Sequence, residues 1–325
     1  MFKAGRLQPL PVSFKLLMLC TMFFTFMVAG LFVVGGLSYL FFGVNTFTNA
    51  GSLENVSTPE GMMMSKMAQL FLSVFSFIIT SLVAAWMFSE HPMRFLRATK
   101  KPSLSLILIT LLLMICSTPW INYTAELNGM MHLPQSLHFL EEMMRLAEDK
   151  AAVLTEAYLK MDNLWSLIFN IILIALIPAV GEELLFRGAI QQTLNGVFAR
   201  KIYSILITAF LFSAIHFQFY GFIPRFLLGV ILGLLVEWSG TLWLSVIAHF
   251  INNGAAVLFS YVTTRSIDTT TNQDNIGTLP GQGWLTILSI IITAGCLYFV
   301  FMYRTKGRTI SHHSDFMANT FHEGL

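Results

Sequence analysis

The side chains able to do chemistry sit in three short stretches of an otherwise apolar sequence. The first reads Pro178-Ala-Val-Gly-Glu182-Glu183-Leu-Leu-Phe-Arg187-Gly188, the second Phe212-Ser-Ala-Ile-His216, and the third His249-Phe-Ile-Asn-Asn253. A charge near the centre of a membrane helix costs about 2.5–3.5 kcal/mol on insertion scales, so a cluster of them points to function. At helical spacing Glu183 and Arg187 share a face and can pair, while Glu182 points about 100° away and is left as the unpaired carboxylate. His249 and Asn253 are also four apart and present a nitrogen donor and an amide toward one point. Phe212 precedes His216 by one turn and can wall it from lipid. Their spacing permits these groups to share a single polar site.

Depth is the next test. Glu182 and His216 are each 17 residues from Ala199, which puts both about 25 Å along their helices at matching height, provided both helices are continuous. His249, nine residues past Gly240, lies about 13 Å up, somewhat lower. Pro178 cannot donate a backbone hydrogen bond to Ile174 and can kink its helix to admit water. Plainer readings stand beside these. Glu183 with Arg187 can be a structural ion pair, Glu182 a snorkelling interfacial acid, and His216, His249 or Asn253 alone an ordinary hydrogen-bonded core residue. His312, His313 and His322 with Asp315 and Glu323 suggest a metal site, but a polar terminus explains them better.

The elements that must position these residues are membrane helices. Of 325 residues, 55% are hydrophobic and only 11% charged, and the mean hydropathy is +0.70. These values exclude a soluble enzyme, a disulfide scaffold and a disordered tail. Cys20, Cys116 and Cys296 lie in separate apolar runs at no metal-like spacing. A net charge of +2 gives no global basic field and no argument for nucleic acid. Uncharged apolar windows at 16–42, 67–89, 103–120, 164–198, 202–219, 223–239, 241–262 and 284–303 predict an all-α polytopic membrane protein of about eight transmembrane helices. The first window is too long for a cleavable signal core and reads as a retained span.

Lys and Arg placement predicts the orientation, with both termini cytoplasmic. Lys3, Arg6, Lys15, Arg94, Arg97, Lys100, Lys101, Arg187, Arg200, Lys201, Arg304, Lys306 and Arg308 then fall inside. Lys66, Arg145, Lys150, Lys160, Arg225 and Arg265 fall outside. All six tryptophans lie near predicted span ends. Residues 121–163 predict an amphipathic helix on or above the outer face, and 263–283 a flexible loop. The organisation expected is a three-span region with an outer segment over 1–160, a helical core over 161–262, and a loop, last span and cytoplasmic tail over 263–325. No internal repeat is visible.

Glu-Glu-x-x-x-Arg at Glu182, Glu183 and Arg187, Phe-x-x-x-His at Phe212 and His216, and His-x-x-x-Asn at His249 and Asn253 occur in order on successive apolar helices. Together they resemble the CPBP family of intramembrane proteases, which includes the type II CAAX prenyl endopeptidases and bacteriocin-processing or self-immunity proteins. The resemblance covers about residues 160–260. It implies peptide-bond hydrolysis in a helical cavity open toward the cytoplasm, on a membrane-embedded or lipidated substrate, prenylated or a secreted peptide. It further implies that Glu182 with His216 activates a water, that His249 with Asn253 forms the oxyanion hole, and that Glu183 with Arg187 holds the site in shape. The family is also described as metal-dependent, and Glu with two His can bind Zn²⁺ with an open position for water. Glu-Glu is not the His-Glu-x-x-His zinc pattern, so a site needing no cofactor is preferred, with zinc the alternative. Two other functions remain open, a non-catalytic immunity or scaffold protein that binds a peptide, and a proton-coupled transporter. A multi-pass protein of the bacterial cytoplasmic membrane is the expected setting.

Overall fold

The computed structural model describes residues 3–263, Thr278 and residues 281–322, with side chains as far as Arg304 apart from that of Ala50. The expected loop over 263–283 therefore lies almost wholly outside the described residues, and so do the side chains of His312, His313, Asp315, His322 and Glu323. No strand occurs among the described residues. The main helices are α1 (Val12–Phe42), α2 (Pro59–Phe88), α3 (Leu104–Gly129), α4 (His138–Leu159), α5 (Leu164–Leu194), α6 (Lys201–Ala214), α7 (Phe222–Ser239), α8 (Trp243–Thr263) and α9 (Gly283–His322).

Seven of these are long and apolar enough to cross a membrane: α1, α2, α3, α5, α7, α8 and α9 up to Arg304. The protein is a multi-pass, all-helical membrane protein. The eighth expected span is not among these seven. The window 202–219 yields only α6, which ends at Ala214 and extends about 21 Å against a hydrocarbon core of about 30 Å. Its end is capped by tight turns, His216 N–H to Ser213 O and Phe217 N–H to Ala214 O. Phe217 then adopts a left-handed backbone, φ 52°, which no helix continues. Hydropathy cannot see this stop, because Ile215, Phe217 and Phe219 keep the window apolar.

Local sequence starts and stops the other helices. Asn163 opens α5 through a reciprocal cap with Ser166, whose N–H donates to Asn163 Oδ1 at 2.9 Å. Gly240, at φ 73°, closes α7 and returns its N–H to Val236 O. Two stretches of α5 are wider π-turns, Ile171–Leu176 and Leu184–Ile190, and they flank Glu182 and Glu183. The expected outer amphipathic helix is α4. One apolar core joins α2, α5 and α6 through Ala84, Ala85, Phe88, Leu185, Phe186 and Phe212. A second joins α3, α7, α8 and α9 through Leu113, Leu232, Leu244, Cys296 and Val300.

Close approach of α7 to α5 and α6 depends on two glycines one turn apart. A methyl at Gly229 would stand 3.0 Å from Ala209 Cβ, and one at Gly233 would stand 2.8 Å from Ile205 Cγ2. Bare backbone at these positions also exposes two carbonyls to α5. Arg187 donates to Gly229 O and Gln191 to Gly233 O, each at 3.2 Å. Small residues spaced by four are the usual means of bringing membrane helices into backbone contact.

Candidate active site

Three helices and one loop supply the polar cluster. On α5, Arg187 is fully buried and donates from Nη1 to Glu183 Oε1 at 2.7 Å. Four-residue spacing therefore produces the pair read from the sequence. Arg187 is further held by Gly229 O, and its guanidinium lies 4.3 Å from the Phe212 ring centroid. Low dielectric makes each charge costly alone, so the three contacts are what allow an Arg at this depth.

His249 on α8 meets both carboxylates. Its Nδ1 lies 2.9 Å from Glu183 Oε1 and its Nε2 lies 4.0 Å from Glu182 Oε2. A carboxylate that is already paired with an arginine accepts hydrogen bonds, so Nδ1 carries the proton and donates to Glu183. In a neutral ring Nε2 is then a lone pair aimed toward Glu182, and in an imidazolium it is a second donor. His249 is 3% exposed, whereas the Glu182 side chain is 14% exposed. Glu182 is thus the acid on the accessible side of the ring.

Asn253 faces α5 at a different height. Its Nδ2 donates to Ile174 O at 3.3 Å, and its Oδ1 accepts from Asn252 Nδ2 at 3.2 Å. Ile174 is the carbonyl that Pro178, lacking an N–H, cannot serve. His249 and Asn253 therefore both point at α5, but at positions nine residues apart rather than at one point. His216 lies two residues beyond the end of α6, so the helical extrapolation to it does not hold to its end. Its Nδ1 lies 2.9 Å from Phe212 O, leaving Nε2 without a hydrogen-bond partner among the described residues. Glu182 shows its close contact with His249, not with His216. Phe212, expected as a wall against lipid, is buried at the centre. Its ring is edge-on to Phe186, His216 and His249 at 5.3, 5.5 and 5.8 Å.

Two further groups were missed in the sequence. Arg225 on α7 donates to Gln218 Oε1 at 2.5 Å and acts electrostatically on Glu182, His216 and Glu148. Its place in an apolar span was a readable signal, obscured by assigning it to the outer end. The second is a clamp on the loop after His216. Asn128 at the end of α3 is buried, donates to Phe219 O at 3.0 Å and accepts from Ile223 N–H at 2.7 Å. From α4, Glu148 accepts Tyr220 N–H at 3.1 Å and Glu141 accepts the Tyr220 hydroxyl at 2.9 Å. Glu141 also binds His132, Arg145 and Leu133 N–H. These hydrogen bonds, the His132 one first, hold its carboxyl down at about 2. Arg145 covers the Tyr220 ring at 4.2 Å.

Among the described residues no three His, Cys, Asp or Glu side chains stand together as a group able to hold a metal. Glu182, His216 and His249 do not converge as ligands, and one nitrogen of His249 is engaged by Glu183.

Residues 163–255 match the family model described as Type II CAAX prenyl endopeptidase Rce1-like. All three motifs lie inside that segment, and the resemblance drawn from them is borne out there. The uncharacterized protein YpbD of Bacillus subtilis (strain 168) is 33% identical over 86 residues, which are 25% of this chain and 41% of that protein. The chain thus spans about two fifths of the length of this relative. No solved structure matches the chain.

Proposed function

We propose that the protein is an intramembrane endopeptidase of the CAAX type, hydrolysing a peptide bond of a membrane-associated peptide or lipidated protein in the cell membrane. The observation that carries the proposal is the His249 imidazole, fixed by Glu183 at 2.9 Å with its other nitrogen turned to Glu182. The match of residues 163–255 to the protease family supports the same reading.

In the proposed reaction a water between Glu182 and the scissile carbonyl is attacked at its proton by the Glu182 carboxylate. The water oxygen bonds to the carbonyl carbon, and the carbonyl π-electrons move to oxygen. Glu182 then returns the proton to the leaving amine as the C–N bond breaks, giving a carboxylic acid and an amine. His216 directs its free Nε2 at the water or the scissile group. The His249 ring turns Nε2 toward the charge as it forms, a donor there when the ring is an imidazolium, while Glu183 and Arg187 hold the ring in orientation. Asn253 keeps the α5 turn at Pro178 closed.

Purified protein in bilayer, assayed on prenylated and unprenylated peptides with and without chelator, tests this. Glu182→Gln removes the base without changing shape and is expected to lower kcat by about 10²–10⁴-fold. Cleavage at the wild-type rate by a folded Glu182→Gln protein overturns the assignment. Sensitivity to chelator overturns a reaction by side chains alone.

A further inference from the structure

A cavity of about 350 Å³ opens at the opposite end of α7 from the His216 loop, remote from the polar cluster. Its walls include Arg97, Lys100, Glu237, Trp238, Tyr303 and Arg304, from the 89–103 connection, α7 and α9. Three cations face one carboxylate. Arg97 Nη2 pairs with Glu237 Oε2 at 3.1 Å, Asn195 donates to the same oxygen at 3.4 Å, and Arg304 stands 4.0 Å from Oε1. Glu237 is therefore paired chiefly to Arg97, and three cations against one carboxylate leave the cavity a net positive charge.

The negative end of the α7 dipole offsets only part of that charge. Two of its terminal carbonyls are already engaged, Val236 O by Arg97 and Ser239 O by Lys100, each at 3.2 Å. The cavity wall is also rigid. Trp243 Nε1 donates to Ala98 O at 2.8 Å, Leu242 N–H to Arg97 O at 2.9 Å, and Thr241 Oγ1 to Lys100 O. Arg97 itself has a left-handed backbone, φ 54°, which a non-glycine residue keeps only where surrounding contacts over-determine it. Trp238 and Tyr303 are the amphipathic aromatics that settle at headgroup level, and basic pockets between membrane helices bind lipid phosphates.

We propose that this cavity binds the phosphate of an anionic phospholipid, with Lys100 and Arg304 as the ligating cations and Arg97 holding Glu237 aside. Nothing in the proposal depends on the peptidase reading.

The full-length protein in uncharged detergent tests it, by thermal unfolding and by native mass spectrometry of lipid adducts. The probes are phosphatidylglycerol, phosphatidylcholine and inorganic phosphate, applied to wild type, Lys100→Gln, Arg304→Gln and the double variant. Phosphatidylglycerol is expected to raise the wild-type midpoint in a concentration-dependent way. Each single substitution weakens its apparent affinity about fivefold and the pair about twenty-five-fold, from about 1 kcal/mol per basic side chain. Phosphatidylcholine gives no shift, because its own ammonium opposes the three cations. Equal phosphatidylglycerol binding by wild type and both single variants overturns the site. A full shift by inorganic phosphate alone overturns the lipid as its source. Should the double variant not fold, the single variants decide, since each leaves the Arg97–Glu237 pair intact.

Discussion

At the scale of single residues, Glu182 and Glu183 are adjacent in sequence and differ in surroundings. Glu183 is fully buried, paired to Arg187 and bonded to His249. Removing its charge by Glu183→Gln strands the Arg187 guanidinium and is expected to cost about 3–5 kcal/mol, read as a lowered thermal midpoint. Adding Arg187→Met to that variant should recover much of the stability and none of the activity, since the ring of His249 is then unanchored. Glu182→Gln, by contrast, should leave the midpoint within about 1 kcal/mol of wild type, because no ion pair closer than 4.0 Å depends on it. Asn253 allows a cleaner separation of structure from catalysis. Asn253→Ala leaves Ile174 O without its donor, at a cost of about 1–3 kcal/mol. In a Pro178→Ala background the residue 178 N–H can serve that carbonyl, so the same substitution should cost less. An unchanged cost in the double-mutant cycle would show that Asn253 does not compensate for the proline.

At the scale of elements, α4 and the end of α3 fix the loop that follows His216. Asn128→Ala and Tyr220→Phe should each lower kcat about tenfold with little change in KM, because they act on the position of His216 rather than on the peptide, an effect of misplacement. Amide exchange over residues 217–223 should rise in both. The attachment also has a definite pH dependence. A carboxyl held at about 2 in the folded protein, against about 4.3 when released, stabilises fully above about pH 5. That contribution is lost as pH falls toward 2, so exchange in the loop, taken relative to the intrinsic amide rate at each pH, should be flat from pH 5 to 8 and rise below pH 4. In Glu141→Gln it should already be raised at pH 7. Much of this frame was legible beforehand, and the reason is local. Pairing within one helix follows from the 3.6-residue period, which foretold Glu183–Arg187 and the amphipathic α4. Pairing between helices depends on how each is rotated about its axis, so His249 at Glu183 and Asn253 at Ile174 were not legible. Gly229 and Gly233 were readable as a close-approach motif, but not the Arg187 and Gln191 contacts that use it. The end of α6 was hidden by apolar loop residues.

At the scale of the whole molecule, the contacts sort the chain into two ends, and the charges follow that sorting. Gly5 and Leu7 donate to Trp86 O and Met87 O, while Arg97, Asn195 and Arg304 meet at Glu237. These contacts gather the N-terminal segment, the 89–103 connection, the α5–α6 turn, Gly240 and Arg304 at one end. At the other, Ser65 bonds Tyr158, Lys66 bonds Asn170, and α4 holds Tyr220. Arg6, Lys15, Arg94, Arg97, Lys100, Lys101, Arg200, Lys201 and Arg304 belong to the first end, and Lys66, Arg145, Lys150, Lys160 and Arg225 to the second. Flanking Lys and Arg are retained on the cytoplasmic side, so the first end is expected in the cytoplasm and α4 outside. With Cys20, Cys116 and Cys296 replaced, a cysteine at Lys150 should react with an impermeant maleimide in intact cells, and one at Lys201 only after permeabilisation. The opposite pattern would invert the molecule. Orientation matters for the proposed chemistry because the clamp of α4 on Tyr220 closes the outer side of the loop carrying His216. With α4 outside, a substrate reaches Glu182 from the lipid or from the cytoplasmic end, and a bulky group attached to a cysteine at Lys150 should leave cleavage unchanged.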